Sequence, residues 1–318
     1  MMLETWLTKS LGIELPIIGA PMGGRAGGRL AGEVSRAGGL GMLGAARYAT
    51  PEWIADEVAI ARAGGGDVGI GLMTWSLDDD ATLLDAALEY TPKLISLSFG
   101  DPAPYVARIH DAGIPVLAQV NTIDDLRIAE RAGVDIIVAQ GGEAGGHTGR
   151  VATLPLLQEI LESTSLPVLA AGGVSTGRGL AAVLAAGGEG VLVGTILLAS
   201  PETIGPDYAR TRVLAAGSAD TVYTPVFDRA RHQPWPERWF GRALTNDFTD
   251  KFHGGGVDDD VIVDAYDPAD PNVGVVYAGQ AAGMVTSERA AGDVIRAMAA
   301  QAEQLLSAAG AKVRNNGR

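Results

Sequence analysis

The stretch "PVLAAGGVSTGRGLAAVLAAGGEGVLVGT", residues 167–195, reads as a strand, a helix and a second strand. "PVLAAG" is apolar on both alternating faces, as a strand buried on both sides is. Leu180, Val183 and Leu184 then recur at helical spacing. "AAGG" closes the helix with a glycine suited to the left-handed cap position, and "GVLVGT" opens the next strand.

The same order, an amphipathic segment, then Ala-Gly, then a short apolar run, recurs on the N-terminal side. It is found in "SRAGGLGMLGA" (35–45), "ARAGGGDVGIGLM" (61–73), "HDAGIPVLAQV" (110–120) and "ERAGVDIIVAQ" (130–140). "NTIDDL" at 121–126 marks a helix start, with Asn or Thr as cap and aspartates in the first turn. Eight strands follow, at about 16–21, 39–45, 67–73, 93–98, 114–120, 134–140, 167–172 and 190–195. Eight βα units predict an α/β chain folded as a (β/α)8 TIM barrel, in preference to an open doubly wound sheet. Residues 1–219 are assigned to the barrel. Residues 220–278, where the repeat stops, are expected to be an irregular cap or substrate region, and 279–318 a C-terminal helix returning to the barrel with a loose "GAKVRNNGR" end.

Composition narrows the function. The chain has 318 residues, 47% hydrophobic, with a net charge of −14 and no cysteine. An acidic surface repels phosphate backbones, so nucleic acid is not expected as a partner. Without cysteine there is no disulfide, thiolate nucleophile or iron–sulfur ligation. "MMLETWLTKSLGIELP" lacks a basic segment followed by an apolar one, and no apolar run reaches the roughly 18–20 residues of a membrane helix. These features are those expected of a cytoplasmic protein that engages no membrane.

Active residues of such barrels sit on loops after the C-terminal ends of the strands. "AQGGEAGGHTGR" (139–150) follows the sixth strand and presents His147 from a run with little bulk to bury its ring. Glycines there let backbone approach something flat or anionic. His110 lies at a helix C-terminus, where the dipole favours a cation. His232 and His253 fall in the expected cap, where either could border a substrate. No pair has metal-ligand spacing, so no catalytic metal is expected. Gly172 and Gly173 offer amides for a phosphate, with Ser175 or Thr176 capping the next helix, and Gly194 and Thr195 add an amide and a hydroxyl. After the first strand, "GAPMGGRAGG" sets Pro21 and Met22 before glycines that would let backbone pass close to a ring system.

Together these stretches resemble the nitronate monooxygenase family of FMN-dependent (β/α)8 barrels. The matching pieces are "PIIGAPMGG", "VSRAGGLGMLGA", "AQVNT", "VAQGGEAGGHTG", "AAGGVSTGRGLAAVLAAGGEGVLVGT", "GRALTNDF" and "YAGQAAGM", in family order from residue 16 to about 284. The resemblance implies FMN as cofactor and His147 as catalytic base. It implies FMN contacts from Ala20, Pro21, Met22 and Gly23, from Gln119, and from Gln140, Gly145 and Gly146. Gly173, Val193, Gly194 and Thr195 would hold the phosphate through backbone groups, with Gly172 beside them and Gln280 near the cofactor. Three positions depart from the family pattern: Gly71 where many members have Asn, Ile196 and Leu197 in "GTIL" where "GTRF" is usual, and Arg25 in the first loop.

The activity implied is oxidative denitrification of an alkyl nitronate by dioxygen, His147 removing the α-proton when a neutral nitroalkane is the substrate. The expected partners are a small-molecule substrate and dioxygen, with a homodimer as the candidate assembly. Two alternatives stand beside this: an FMN-dependent NAD(P)H-using enoyl-thioester or quinone reductase on the same fold, and a non-catalytic flavin-binding protein.

Overall fold

A computed structural model describes residues 3–309 of the chain; the expected loose end at 310–318 lies outside them. Eight parallel strands form the central sheet: β1 (Ile17–Gly19), β2 (Gly41–Ala45), β3 (Val68–Met73), β4 (Ile95–Ser98), β5 (Val116–Val120), β6 (Ile136–Gln140), β8 (Val168–Ala171) and β9 (Gly190–Val193). They pair in the order β1-β9-β8-β6-β5-β4-β3-β2. A parallel bridge between Ile18 and Leu40 closes the ring, with Gly19 N–H donating to the Leu40 carbonyl at 2.8 Å. The barrel is therefore a finding, and the open sheet is excluded.

Two cores follow from the strand pleat, which sends alternate side chains to opposite faces. Ile18, Leu40, Met42, Leu94, Leu117, Ile136, Val138, Leu169 and Leu192 fill the interior. Their neighbours Ile17, Leu43, Ile95, Val116, Ile137, Val168 and Val191 face the helices. The helix Trp6–Leu11, which the repeat does not announce, adds Leu7 and Leu11 to the inner core. A Cβ on Gly190, where β9 begins, would lie 2.8 Å from Leu7, so this helix stoppers the N-terminal end of the barrel.

The eighth helix does not follow its strand. After β9 the chain leaves the barrel and returns only with the helix Ala291–Ala309. That helix packs on Gly177–Ala185 so closely that a Cβ on Gly177 would come within 2.4 Å of the Met298 carbonyl. On its other side, a Cβ on its own Gly292 would come within 3.1 Å of Ala37, at the end of Gly28–Arg36.

The intervening segment is not irregular, which corrects the expectation for 220–278. It begins before residue 220 with the helix Asp207–Ala215 and carries two strands, β10 (Thr221–Thr224) and β11 (Phe240–Leu244). With β7 (Gly146–Thr148), from the loop after β6, they make an antiparallel sheet in the order β10-β11-β7. Val226, Phe227, Ala230, Phe248, Phe252 and Ile262 give this segment a core of its own. β10 and β11 pair across the helix Val226–Ala230 and β7 joins them from far back in the chain, so no local alternation announces the sheet. Among the described residues no helix is long and apolar enough to cross a membrane.

Candidate active site

A cavity of about 370 Å³ opens at the C-terminal ends of the barrel strands, where such barrels place their sites. Ala20, Pro21, Met22, Gly23, Gln119, Gln140, Gly145, Gly146, His147, Gly172, Gly173, Gly194 and Thr195 all line it. Two of the residues singled out in the sequence do not. The pleat turns the Val193 side chain into the outer core, and its carbonyl accepts from Ala20 N–H at 2.8 Å. Gln280 is exposed, and its backbone N–H donates to the Glu143 carbonyl at 2.9 Å.

His147 sits on β7, opposite Gly241 of β11, so the inserted sheet fixes its backbone. Its Nε2 lies 2.8 Å from Asp228 Oδ2, and both side chains are only 7% exposed. A carboxylate can only accept here, so Nε2 carries the proton and Nδ1 keeps a lone pair. The other Asp228 oxygen accepts from the Tyr277 hydroxyl at 3.1 Å and from Arg231 at 3.3 Å, while Arg231 also donates to the Tyr277 oxygen at 2.7 Å. Tyr277 can reach this point because β11 has glycine beneath it: a Cβ on Gly241 would fall 2.5 Å from the ring.

The imidazole is also stacked on Trp235, centroids 3.4 Å apart and planes 6° from parallel. Tyr277 leans on it at 5.4 Å. The glycine-rich loop was expected to leave this ring uncovered; it is instead buried, because the inserted segment supplies the bulk the loop lacks. Burial lowers the His147 pKa, opposed by Asp228 and assisted by Arg231, which favours a neutral imidazole. Burial first, and then the Asp228 charge, pushes the Tyr277 phenol well above its usual range, so it stays a hydrogen-bond donor.

Gln140 holds the loop in place. Its carbonyl and Oε1 each accept from Asn121 Nδ2 at 2.9 Å, and its Nε2 donates to the His147 carbonyl at 3.2 Å. Asn121 is in turn oriented by the Trp239 indole N–H at 3.0 Å.

Across the cavity, Gly172 and Gly173 are both left-handed, with φ of +89° and +72°. Such consecutive turns gather backbone amides into an anion-binding concavity. A Cβ on Gly173 would meet nothing nearer than 3.7 Å, so the hollow is open. Neither Ser175 nor Thr176 caps the helix Gly177–Ala185, contrary to expectation: the Thr176 side chain makes no capping bond, and Ser175 Oγ is buried without a partner. Buried hydroxyls ordinarily find one. An unpaired hydroxyl and an uncapped helix N-terminus beside two left-handed glycines suit the anionic tail of a flavin nucleotide. Thr195 is less available, its Oγ1 already accepting from Gly279 N–H at 2.9 Å.

The loop after β1 forms the remaining wall. Met22 backbone crosses β2 so closely that a Cβ on Gly44 would lie 2.5 Å from it. A Cβ on Gly71 would lie 2.3 Å from Pro21 Cβ. Gly71 is thus more than a missing donor: the space a side chain would need is filled by proline.

The other histidines take no part. His110 pairs with Asp135 at 2.8 Å on the surface, and His232 and His253 are exposed and outside the cavity wall. Among the described residues no cluster is arranged to hold a metal. The residues missed from sequence are Asp228, Arg231, Trp235 and Tyr277, which sit in the inserted segment and reach His147 only through tertiary pairing.

The sequence profile of the nitronate monooxygenase family matches residues 4–67 and 68–301. A nitronate monooxygenase of Neurospora crassa is 30% identical, the match covering 91% of this chain and 89% of that protein. A (3aS,4S,5R,7aS)-5-hydroxy-7a-methyl-1-oxo-octahydro-1H-indene-4-carboxyl-CoA dehydrogenase of Mycobacterium tuberculosis is 33% identical over 80% of this chain and 70% of its own length. Among solved structures, FabK of Thermotoga maritima superposes with a TM-score of 0.85 at 26% identity, covering 98% of this chain and 99% of that one.

Proposed function

The chain belongs to the nitronate monooxygenase family, a family of flavin-type oxidoreductases, and from that premise we propose that it is an FMN-dependent enzyme that oxidises alkyl nitronates with dioxygen to carbonyl compounds and nitrite. The observation that carries this reading is the buried His147–Asp228 pair opening on the same cavity as the Gly172–Gly173 hollow. FMN, when bound, supplies the electron acceptor.

The protein's part is positioning and proton transfer. Gly172, Gly173 and Ser175 would take the phosphate, and Pro21 and Met22 would border the ring. His147 Nδ1, free because Asp228 holds the proton on Nε2, removes the α-proton of a neutral nitroalkane. A positioned base of this kind contributes about 10²–10⁴-fold. Trp235 and Tyr277 exclude water from the imidazole and keep it neutral and ready.

The test is anaerobic mixing of the flavin-loaded protein with an alkyl nitronate, then with NADH, followed by flavin absorbance, and aerobic assay of nitrite release. Bleaching by nitronate and nitrite in air support the reading. Bleaching by NADH alone would favour a reductase. The 33% identity to a protein named for a CoA thioester gives that second reading its weight, with His147 as a proton donor or clamp instead of a base.

A further inference from the structure

A second cavity, of about 250 Å³, lies between the loops after β8 and β9 and the helix Ala291–Ala309. Ser175 lines both this cavity and the one at the barrel mouth, so the two meet at that residue. Its hydroxyl, in a side chain only 4% exposed, has no partner. The helix Gly177–Ala185 begins at the same point. Thr176 and Gly177 line the second cavity, and the Thr176 side chain makes no capping bond, so the amides of the first turn stay available to an anion. A flavin phosphate seated on Gly172 and Gly173 therefore borders a second chamber.

The chamber has the chemistry of a nucleotide site. Arg289 stands at its rim, exposed and in no ion pair among the described residues, with Nη2 donating to the Asp293 carbonyl at 3.1 Å. Thr286 and Ser287 add hydroxyls beside it, and no aspartate or glutamate lines the chamber, in a chain whose net charge is −14. Met284 and Met298 line it as well. Thioethers are polarizable, fill irregular gaps and pack well on flat rings. Ile196 is a further wall, at a position where the family usually has arginine, so the chamber is wider than that longer side chain would leave it.

We propose that this chamber receives the adenylate half of a flavin dinucleotide, so that the protein binds FAD as well as FMN. The inner phosphate sits at Gly172, Gly173 and Ser175, the outer one faces Thr176 and Arg289, and the adenine lies against the two methionines. The inference rests on the proposed function for a flavin seated in the barrel mouth, and on the second cavity alone for the adenylate.

The experiment is dialysis of the flavin-loaded protein, to constant flavin content, against equal concentrations of FMN and FAD, followed by acid release and chromatography of the retained flavins. FAD should be retained to at least about one tenth of the level of FMN, because burial of the added half offsets the cost of ordering it. Ala297→Trp, at an exposed position of the helix that lines the chamber, fills it from the rim. Arg289→Gln removes the cation. Each should lower the ratio of FAD to FMN about tenfold or more, the first by taking the ligand's room and the second by loss of a charged hydrogen bond. Retention of FMN should be unchanged in both. Retention of FAD below about one tenth in the unaltered protein overturns the proposal, as does a ratio that either substitution leaves unaltered. Binding of AMP by protein that refuses FAD also overturns it, by assigning the chamber to a free nucleotide. Absence of nitrite release with FAD retention intact would sink the proposed reaction and leave the chamber's assignment standing.

Discussion

His147 and Asp228, 81 positions apart in the chain, face each other at 2.8 Å, and the carboxylate comes from the segment inserted between the eighth strand and its helix. Asp228 fixes the proton on Nε2 and so decides which nitrogen can act. Asp228→Asn removes that constraint. Turnover of a neutral nitroalkane should fall about 100-fold or more, the lower bound of what a positioned base contributes. Turnover of a pre-formed nitronate, which needs no proton removed, should fall far less. Equal losses on both substrates in stopped-flow assays would contradict the assigned role.

Trp235 covers one face of the imidazole, and burial is the leading cause of its lowered pKa. Trp235→Ala should therefore move the His147 pKa up towards its ordinary value near 6.5, read by NMR of the ring protons. The lost stacking should cost about 0.5–1.5 kcal/mol beyond buried area.

The same lowered pKa makes stability depend on pH. The unfolded chain binds a proton at His147 near pH 6.5, whereas the folded chain does so only at lower pH. Below about 6.5 the unfolded state thus holds more protons, and stability falls as pH drops from there through the folded pKa. Urea unfolding of the flavin-free protein at pH 7.5 and 5.5 should show this loss, and His147→Gln should lose less over the same interval.

Pro21 fills the space beside Gly71. Gly71→Ala should destabilise the protein by about 1–3 kcal/mol through overpacking. Pro21→Gly, which removes the Cβ that occupies this space, placed in the same chain should relieve much of that clash, so a double-mutant cycle by thermal unfolding should show coupling between the two positions. Additive effects would mean that the loop moves freely to make room.

Ser175 Oγ is buried with no partner of its own. Ser175→Ala should weaken flavin binding about tenfold or more, as expected for a lost hydrogen bond to a charged group. The flavin-free protein should be no less stable for the change, because a buried hydroxyl without a partner stabilises nothing. Equilibrium dialysis and thermal unfolding separate the two effects.

The eight barrel strands were legible because each is a local signal, an apolar run after a glycine-capped helix, and the structure keeps every one within a few residues of its expected place. His147 was legible for a similar reason, as one imidazole in a loop with few other side chains. Asp228, Trp235 and Tyr277 were not, since nothing in "VFDRARHQPW" or "GVVYAG" states that those side chains converge. Strand β7 has three residues, and its pairing with β11 spans nearly a hundred positions, too far for any periodicity to show. Gly71 read as an absent hydrogen-bond donor, because a sequence shows what a glycine lacks and not what occupies the room it leaves. Val193 and Gln280 were placed by resemblance alone; the Val193 side chain faces the outer core and Gln280 is exposed in a 3₁₀ turn, so neither side chain lines the cavity.

The detour between Val193 and Ala291 also sets an order of assembly. During synthesis the eighth strand emerges long before the helix that seals its outer side, so a nascent barrel stays unsealed along one flank until that helix arrives. The carboxylate, indole and phenol that complete the imidazole's surroundings emerge within that same interval. Closure of the scaffold and completion of the reactive centre thus belong to a single late event, and a chain stalled within the detour would hold most of a barrel and no working site.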